Sequence, residues 1–269
     1  MRRWAGVLLV VAGVAISACG EAGLSGSSGA KANKYVVAVD PTLMPMAYVN
    51  DQNVLDGFEI DLIRAVARTA GFDVEFTPVE FAGLFGGLVT RKFDLVISSI
   101  TILEERKKRM AFSRPYLRSG LALLVRREDD SIRSVEDLRQ RGLLVGAQTG
   151  TTSHFFLQQQ PGVKIQGYQL FGHAVTDLIN GRIDAVIGES TGALYYRNRE
   201  KENFAKIKMT GEILTREYYG IVLRKEDAAL LAKVNAALEK LLSDGTIRQL
   251  HDKWDLGRAA EPPPLETRS

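Results

Sequence analysis

Cysteine is nearly absent from this chain: 269 residues carry one, Cys19. A single thiol excludes a disulfide within the chain, and with it a thiolate metal cluster or a redox dithiol. Histidine is almost as scarce, with three in all. His154 and His173 do not combine with Ser153 into a recognisable nucleophile–base–acid triad. Charge of one sign is lacking too. The net charge of +3 is small, and the densest basic run, Arg106 to Arg109, has Glu104 and Glu105 beside it, which argues against a nucleic-acid-binding face. Long apolar runs are confined to the N-terminus. Trp4 to Ala18 falls short of the roughly 20 residues a membrane span needs. No second such stretch follows, which speaks against a transmembrane receptor or kinase fused to the body.

What is there begins with that N-terminal stretch. Arg2 and Arg3 precede it and Ile16-Ser17-Ala18-Cys19 ends it, the order of an exported leader. The ending resembles a bacterial lipobox, so residues 1–19 are expected to be a lipoprotein signal peptide with Cys19 as the lipidated residue. Residues 20–33 are rich in Gly, Ser and Ala without hydrophobic periodicity and read as a flexible tether. Residues 259–269 contain Pro262, Pro263 and Pro264 and read as a disordered tail.

Inside the body a phrase occurs twice. Leu88-Val89-Thr90-Arg91-Lys92-Phe93-Asp94-Leu95-Val96-Ile97-Ser98 returns as Leu178-Ile179-Asn180-Gly181-Arg182-Ile183-Asp184-Ala185-Val186-Ile187-Gly188. Each copy reads as a helix end, a polar turn and an apolar run of strand length, the pattern of a strand buried on both faces of an α/β sheet. Polar residues follow each run: Ser98, Ser99 and Thr101 in the first copy, Glu189, Ser190 and Thr191 in the second. Ligands of open α/β sheets bind beyond the carboxyl ends of the strands. Two lobes face to face would therefore set hydroxyls opposite a carboxylate across one cleft, which suits a small zwitterion.

The flanking sequence alternates strands and helices. Strands are expected at Tyr35–Val39, over Phe72 to Phe76, at Leu121–Val125, at Leu143–Ala147 and at Tyr218–Leu223. A helix opens with a capping-box-like pair, Asp56 and Glu59, and closes at Gly71. Another spans Phe81 to Leu88, Ser134 and Asp137 cap a short one, and His173–Asn180 forms a fourth. Leu230, Leu231, Val234, Ala237, Leu238 and Leu241 mark one stripe of a long helix ended by Gly245, and Ile247, Leu250 and Trp254 one of a last short helix.

Taken in order, Gly57-Phe58-Glu59-Ile60-Asp61-Leu62, Ser98-Ser99-Ile100-Thr101-Ile102, Glu105-Arg106, Phe112-Ser113-Arg114-Pro115-Tyr116, Gln148-Thr149-Gly150-Thr151-Thr152, Gly181-Arg182-Ile183-Asp184-Ala185, Tyr219-Gly220 and Asp244-Gly245-Thr246 before Trp254 resemble the polar amino-acid-binding proteins of bacterial ABC importers, extracellular solute-binding protein family 3, from about Lys34 to Gly257. The resemblance implies an α/β periplasmic-binding-protein-like fold, two lobes joined by two hinge strands around a central ligand cleft. Residues 34–117 and 218–258 would form the first lobe and 118–217 the second, with hinge crossings near Leu121–Val125 and Tyr219–Leu223. It implies a monomeric, exported protein on the outer face of the cell membrane that hands an amino acid to an ABC permease, without cofactor, metal or catalysis.

By the same resemblance Arg106 grips the α-carboxylate, Thr101 and Thr152 complete that site, Thr151 beside them is a further ligand-binding candidate, Ser98 or Ser99 accepts from the ammonium, and Glu189 stands where the family carries an acid, usually Asp. Two acids, Asp40 and the nearby Glu80, with Gln148 hint at a cationic or amide ligand. Phe81 matches a position that stacks on the ligand, whereas Leu43 replaces a second aromatic wall. Taken singly each has a plainer reading: Asp40 before Pro41 as a turn residue, Thr152 as a helix cap, Arg106 as part of a solvated charged face. Two other functions stay open. Some relatives are cyclohexadienyl dehydratases, but Gly192 occupies the place of their general acid. A ligand-sensing adaptor for a separate membrane protein is the other.

Overall fold

The computed structural model describes residues 33–192, 194, 202, 205–257 and 260–263. The expected leader, Cys19 and all of the tether except Asn33 lie outside the described residues. The chain opens with β1 (Lys34–Val39), a small antiparallel meander β2 (Thr42–Leu43), β3 (Ala47–Val49) and β4 (Leu55–Asp56), then α1 (Phe58–Ala70), β5 (Asp73–Pro78), α2 (Phe81–Val89), β6 (Leu95–Val96), the one-turn α3 (Glu104–Lys107), β7 (Ala111–Phe112) and β8 (Leu117–Ser119). It continues with β9 (Leu121–Arg126), α4 (Val135–Gln140), β10 (Leu144–Gln148), α5 (Thr152–Gln158), β11 (Lys164–Tyr168), α6 (Phe171–Ile179), β12 (Ala185–Glu189) and β13 (Ile207–Thr210). The last elements are β14 (Glu217–Tyr219), β15 (Val222–Leu223), α7 (Ala228–Ser243) and α8 (Thr246–Lys253).

These elements make two five-stranded sheets, in the orders β5-β1-β6-β15-β7 and β11-β10-β12-β9-β13. In each, three parallel strands are followed by two strands reached through antiparallel pairing. The repeated phrase supplies the central strand of both, and its physical reason is a shared set of contacts. Asp94 accepts from the Val36 N–H at 2.9 Å and Asp184 from the Leu144 N–H at 2.8 Å, so each repeat aspartate locks its strand to the neighbour. An arginine closes the preceding turn in both lobes. Arg224 donates to the carbonyls of Leu88 and Phe93, and Arg126 to those of Leu178 and Ile183. Arg91 and Gly181 hold the same turn position with φ of 59° and 72°, a left-handed conformation that glycine adopts without strain.

The lobes are joined by a two-stranded antiparallel ribbon, β8 with β14, in the register Glu217↔Ser119 and Tyr219↔Leu117. The crossings therefore lie a few residues before the expected Leu121–Val125 and Tyr219–Leu223. Those runs belong to the lobe sheets themselves, because β9 is buried between β12 and β13 and β15 between β6 and β7. The single strand expected at Tyr218–Leu223 is broken at Gly220, where a Cβ would lie 3.0 Å from Ile102 and 3.3 Å from Phe112.

The stripe on α7 buries Leu230, Val234, Ala237, Leu238 and Leu241 in one core with Val37, Phe58, Leu62 and Val66 of the first sheet's layer. α8 joins the same core through Ile247, and Lys253 and the Trp254 indole both donate to Asp61 on α1. Residues 260–263, read from sequence as disordered, are held in place. Ala260 is buried, its carbonyl meets His251 Nε2 at 2.7 Å, and Glu261 exchanges backbone hydrogen bonds with Arg118 of the hinge ribbon. The pairing satisfies an edge of β8 that composition does not reveal. The helix α4 is capped as expected, with Ser134 accepting from the Asp137 N–H.

Candidate functional site

The cleft between the lobes is lined by Asp40, Leu43, Phe81, Ser98, Ser99, Thr101, Arg106, Gln148, Thr151, Thr152 and Glu189, together with Thr42 and Phe171, which the sequence reading did not single out. The two repeat strands end at this cleft, so the residues just after them, Ser98 to Thr101 and Glu189, fall on opposite walls.

Arg106 sits on α3. Its neighbours Lys107 and Lys108 pair with Glu104 and Glu105 on the exposed side, while its own side chain turns into the cleft. It donates to the Thr101 carbonyl at 3.0 Å and, across the cleft, to the Gly150 carbonyl at 3.3 Å. Its guanidinium carbon lies 5.2 Å from the centre of the Phe85 ring, a cation–π contact that fixes its plane. Burial pulls its pKa down from the ordinary value, against the attraction of Glu189 and Glu217. Two of five N–H donors are engaged in these bonds, which leaves a fork able to meet a carboxylate.

Glu189 ends β12 on the opposite wall. Thr152 donates to one oxygen at 2.8 Å and the Tyr219 hydroxyl to the other at 2.6 Å. A phenol has one proton, so with Tyr219 donating to Glu189, the nearby Ser119 and Thr191 hydroxyls, at 2.8 and 3.3 Å, act as donors to it. Burial and the charge of Glu217 push the Glu189 carboxyl up to about 8, against the opposing effect of Tyr219, Thr152 and Arg106. Burial thus favours the neutral form of this carboxyl, a balance that a further positive charge placed against it would reverse.

Thr101 is buried and its hydroxyl donates to Glu217 at 2.7 Å, while Glu217 also accepts from Thr215 at 2.8 Å. Ser98 Oγ accepts from the Asp40 N–H at 3.1 Å, which leaves its own proton available. Asp40 is nine-tenths or more buried, and its two oxygens accept from the backbone N–H of Thr42 at 3.1 Å and of Phe81 at 2.9 Å. Its carboxylate thus ties the end of β1 to the start of α2, the turn-forming role that the Asp-Pro pair also allowed. Burial raises its pKa. Glu80, which precedes Phe81, is exposed and is not among the lining residues.

Thr151 lies at the start of α5 and donates to the Gln148 carbonyl at 2.7 Å rather than capping the helix with its side chain. Gln148 donates to the Gln169 carbonyl at 3.0 Å. Phe81 and Phe171 bring one aromatic ring from each lobe. Phe171 packs where Gly188 and Gly192 leave room: a Cβ at Gly188 would lie 2.2 Å from its ring and one at Gly192 2.8 Å. Phe171 was legible in the repeat, since the spacing that separates Leu88 from Leu178 also separates Phe81 from Phe171.

A second set of residues stands behind the lining. Glu59, expected to cap α1 with Asp56, does not do so. Gly57 occupies the cap with φ of 131° and no side chain to bond, Asp56 accepts from the Gly57 N–H, and Glu59 turns inward. Its Oε1 accepts from the Ser99 N–H at 2.6 Å, the Ser99 hydroxyl at 3.1 Å and the Tyr116 hydroxyl. Burial pushes this carboxyl up to about 7, with the Asp40 charge adding to the shift and the three hydrogen bonds opposing it.

Comparison with known proteins decides the family. The family model described as bacterial extracellular solute-binding proteins, family 3, matches residues 35–257. This chain belongs to that family. It is 32% identical to the L-cystine-binding protein TcyJ of Escherichia coli (strain K12) over 253 residues, 93% of each chain. A solved ancestral arginine-binding protein bound to arginine is similar in fold, with TM-score 0.77 and 39% identity over 82% of this chain and 98% of that one. So is the ancestral amino-acid-binding protein AncCDT-1, a precursor of cyclohexadienyl dehydratase, with TM-score 0.75 and 34% identity over 82% and 95%. The chain is thus a family 3 solute-binding protein of exported type with the two-lobed α/β fold of its neighbours, and its relatives TcyJ and the arginine-binding ancestor bind amino acids.

Proposed function

We propose that this family 3 protein captures one polar amino acid between its lobes, with a cationic or amide side chain preferred, and delivers it to an ABC permease without chemical change. The observation that carries the reading is the polarity of the cleft. A guanidinium with unspent donors stands on one wall and a carboxyl primed to lose its proton on the other. An α-carboxylate and an α-ammonium need those partners once closure removes water. Lobe closure around the ligand would then be the form a permease reads. Phe81 and Phe171 supply faces for a planar guanidinium, imidazole or amide, and Gln148 a polar partner. Asp40 supports the side-chain preference only through its charge, since its oxygens serve the backbone. The leader reading adds a lipid anchor at Cys19 that holds the protein to the cell membrane on its periplasmic or extracellular side, and the family resemblance a monomeric working form; mass spectrometry of the mature N-terminus tests the lipid.

A thermal-shift screen of the purified chain against the amino acids and prephenate tests the function. A true ligand at about a hundred times its dissociation constant adds roughly 2.7 kcal/mol of stability. Stabilisation by no amino acid refutes the reading. The enzyme alternative has one observation in its favour, the raised pKa of Glu189, which would suit a general acid. Against it, Gly192 packs on the Phe171 ring where a longer side chain would collide. Turnover of prephenate would decide for the enzyme.

A further inference from the structure

Ser99 stands at the end of the first repeat strand with φ of 48°, an unusual backbone state for a residue with a side chain. Two hydrogen bonds hold it there, and both run to one atom. The Ser99 N–H and the Ser99 hydroxyl each donate to Glu59 Oε1, at 2.6 and 3.1 Å, and the Tyr116 hydroxyl donates to the same oxygen. Glu59 is 1% exposed and lies outside the cleft lining, whereas Ser99 lies in it. A serine has only two donors, its N–H and its O–H. With both directed at Glu59, all that Ser99 has left for the cleft is acceptor capacity, on its carbonyl and on its hydroxyl oxygen. Its counterpart in the second repeat is Glu189, which accepts from Thr152.

Resting on the amino-acid reading above, we infer that Glu59 is a positioning residue for ammonium recognition. It spends the Ser99 donors in the protein interior, so that Ser99 itself faces the ligand with acceptors alone. A free Ser99 donor would compete with, or repel, an incoming N–H group; Glu59 prevents this without touching the ligand.

The test compares each probe with its counterpart lacking the α-ammonium: L-arginine with 5-guanidinopentanoate, and L-glutamine with glutaramate, by calorimetry on the full chain. Wild-type protein is expected to favour the amino acid of the pair it binds. Glu59→Gln retains Oε1 as acceptor and is expected to keep that preference within about threefold. Glu59→Leu removes the acceptor and is expected to lower the preference tenfold or more. Glu59→Asp, shortened by one methylene, gives the same reading where the leucine variant does not fold. A variant that weakens both members of a pair equally overturns the inference, because a purely structural role would do that. Loss of the preference in Glu59→Gln overturns it too, by showing that charge and not the acceptor matters. Wild-type protein that binds no amino acid removes the amino-acid reading itself, and this inference with it.

Discussion

Binding should release a proton, and Glu189 is its source. In the unliganded cleft the carboxyl is pushed up to about 8 by burial and by the neighbouring charge of Glu217. A group of that pKa is about nine-tenths protonated at pH 7. An α-ammonium placed against it reverses the balance, because an opposite charge within a few ångströms favours the ionised form. Capture at pH 7 then expels close to one proton, and the cost of ionising Glu189 first, about 1.4 kcal/mol per pKa unit, is subtracted from the affinity. The sign follows. Below about pH 8 affinity should rise nearly tenfold for each unit of pH, and above it should level off. Calorimetry of the same ligand in buffers of different ionisation enthalpy counts the protons directly. Glu189→Gln keeps an acceptor for one of Thr152 and Tyr219 but has nothing to release, so its count should fall to near zero while Glu59 remains as an internal control. Tight binding by the wild-type chain with no proton released at pH 7 would refute the placement of the ammonium on Glu189.

Three further outcomes follow from the same geometry. Arg106→Ala should weaken amino-acid binding by one to two decades or more, since each charge-assisted hydrogen bond contributes roughly 1.5 to 3 kcal/mol; a dissociation constant unchanged in titration calorimetry would remove Arg106 from the site. Glu59→Gln should stabilise the unliganded protein at pH 8 relative to wild type. The folded pKa of about 7 exceeds the ordinary 4.5, so the native state binds more protons between those values and loses stability as pH rises through them. The difference, at most about 3 kcal/mol, should vanish below pH 4.5 in denaturant melts. Gly188→Ala should expel Phe171 from the cleft wall, because its Cβ would lie 2.2 Å from the ring. A loss of about 1 to 3 kcal/mol in stability together with weaker ligand binding is expected, and unchanged behaviour in both assays would contradict the packing.

Much of this site was readable because the chain repeats itself. Aligning the two copies places Asp94 on Asp184, and the structure gives both the same bond to the neighbouring parallel strand of their lobe. The same alignment places Phe81 on Phe171 and Ser99 on Glu189, which is how two similar folds present different walls to one cleft. What stayed hidden has a common cause. Glu59 two residues after Gly57 looks like a helix-start residue, and local spacing alone cannot tell a cap from a carboxylate that reaches a serine forty residues later. The bonds of Tyr219 to Glu189 and of Glu217 to Thr101 likewise join segments that only the hinge ribbon brings together.

That ribbon also explains why the supporting residues cluster where they do. Tyr219 and Glu217 lie on β14, and Ser119 on its partner β8. Through them the two cleft walls meet the joint about which the lobes turn: Glu189 of the second lobe leans on Tyr219, and Thr101 of the first on Glu217. A change in lobe angle must therefore reorient one wall relative to these shared partners, or break a hydrogen bond to a buried carboxylate, which costs more than an exposed one. Under the proposed reading, ligand and hinge thus share one carboxyl, Glu189. On that reading an ammonium placed against Glu189 would add a positive partner to a buried carboxyl that already accepts from Thr152 and Tyr219, so occupancy and closure would favour each other without any contact between ligand and ribbon.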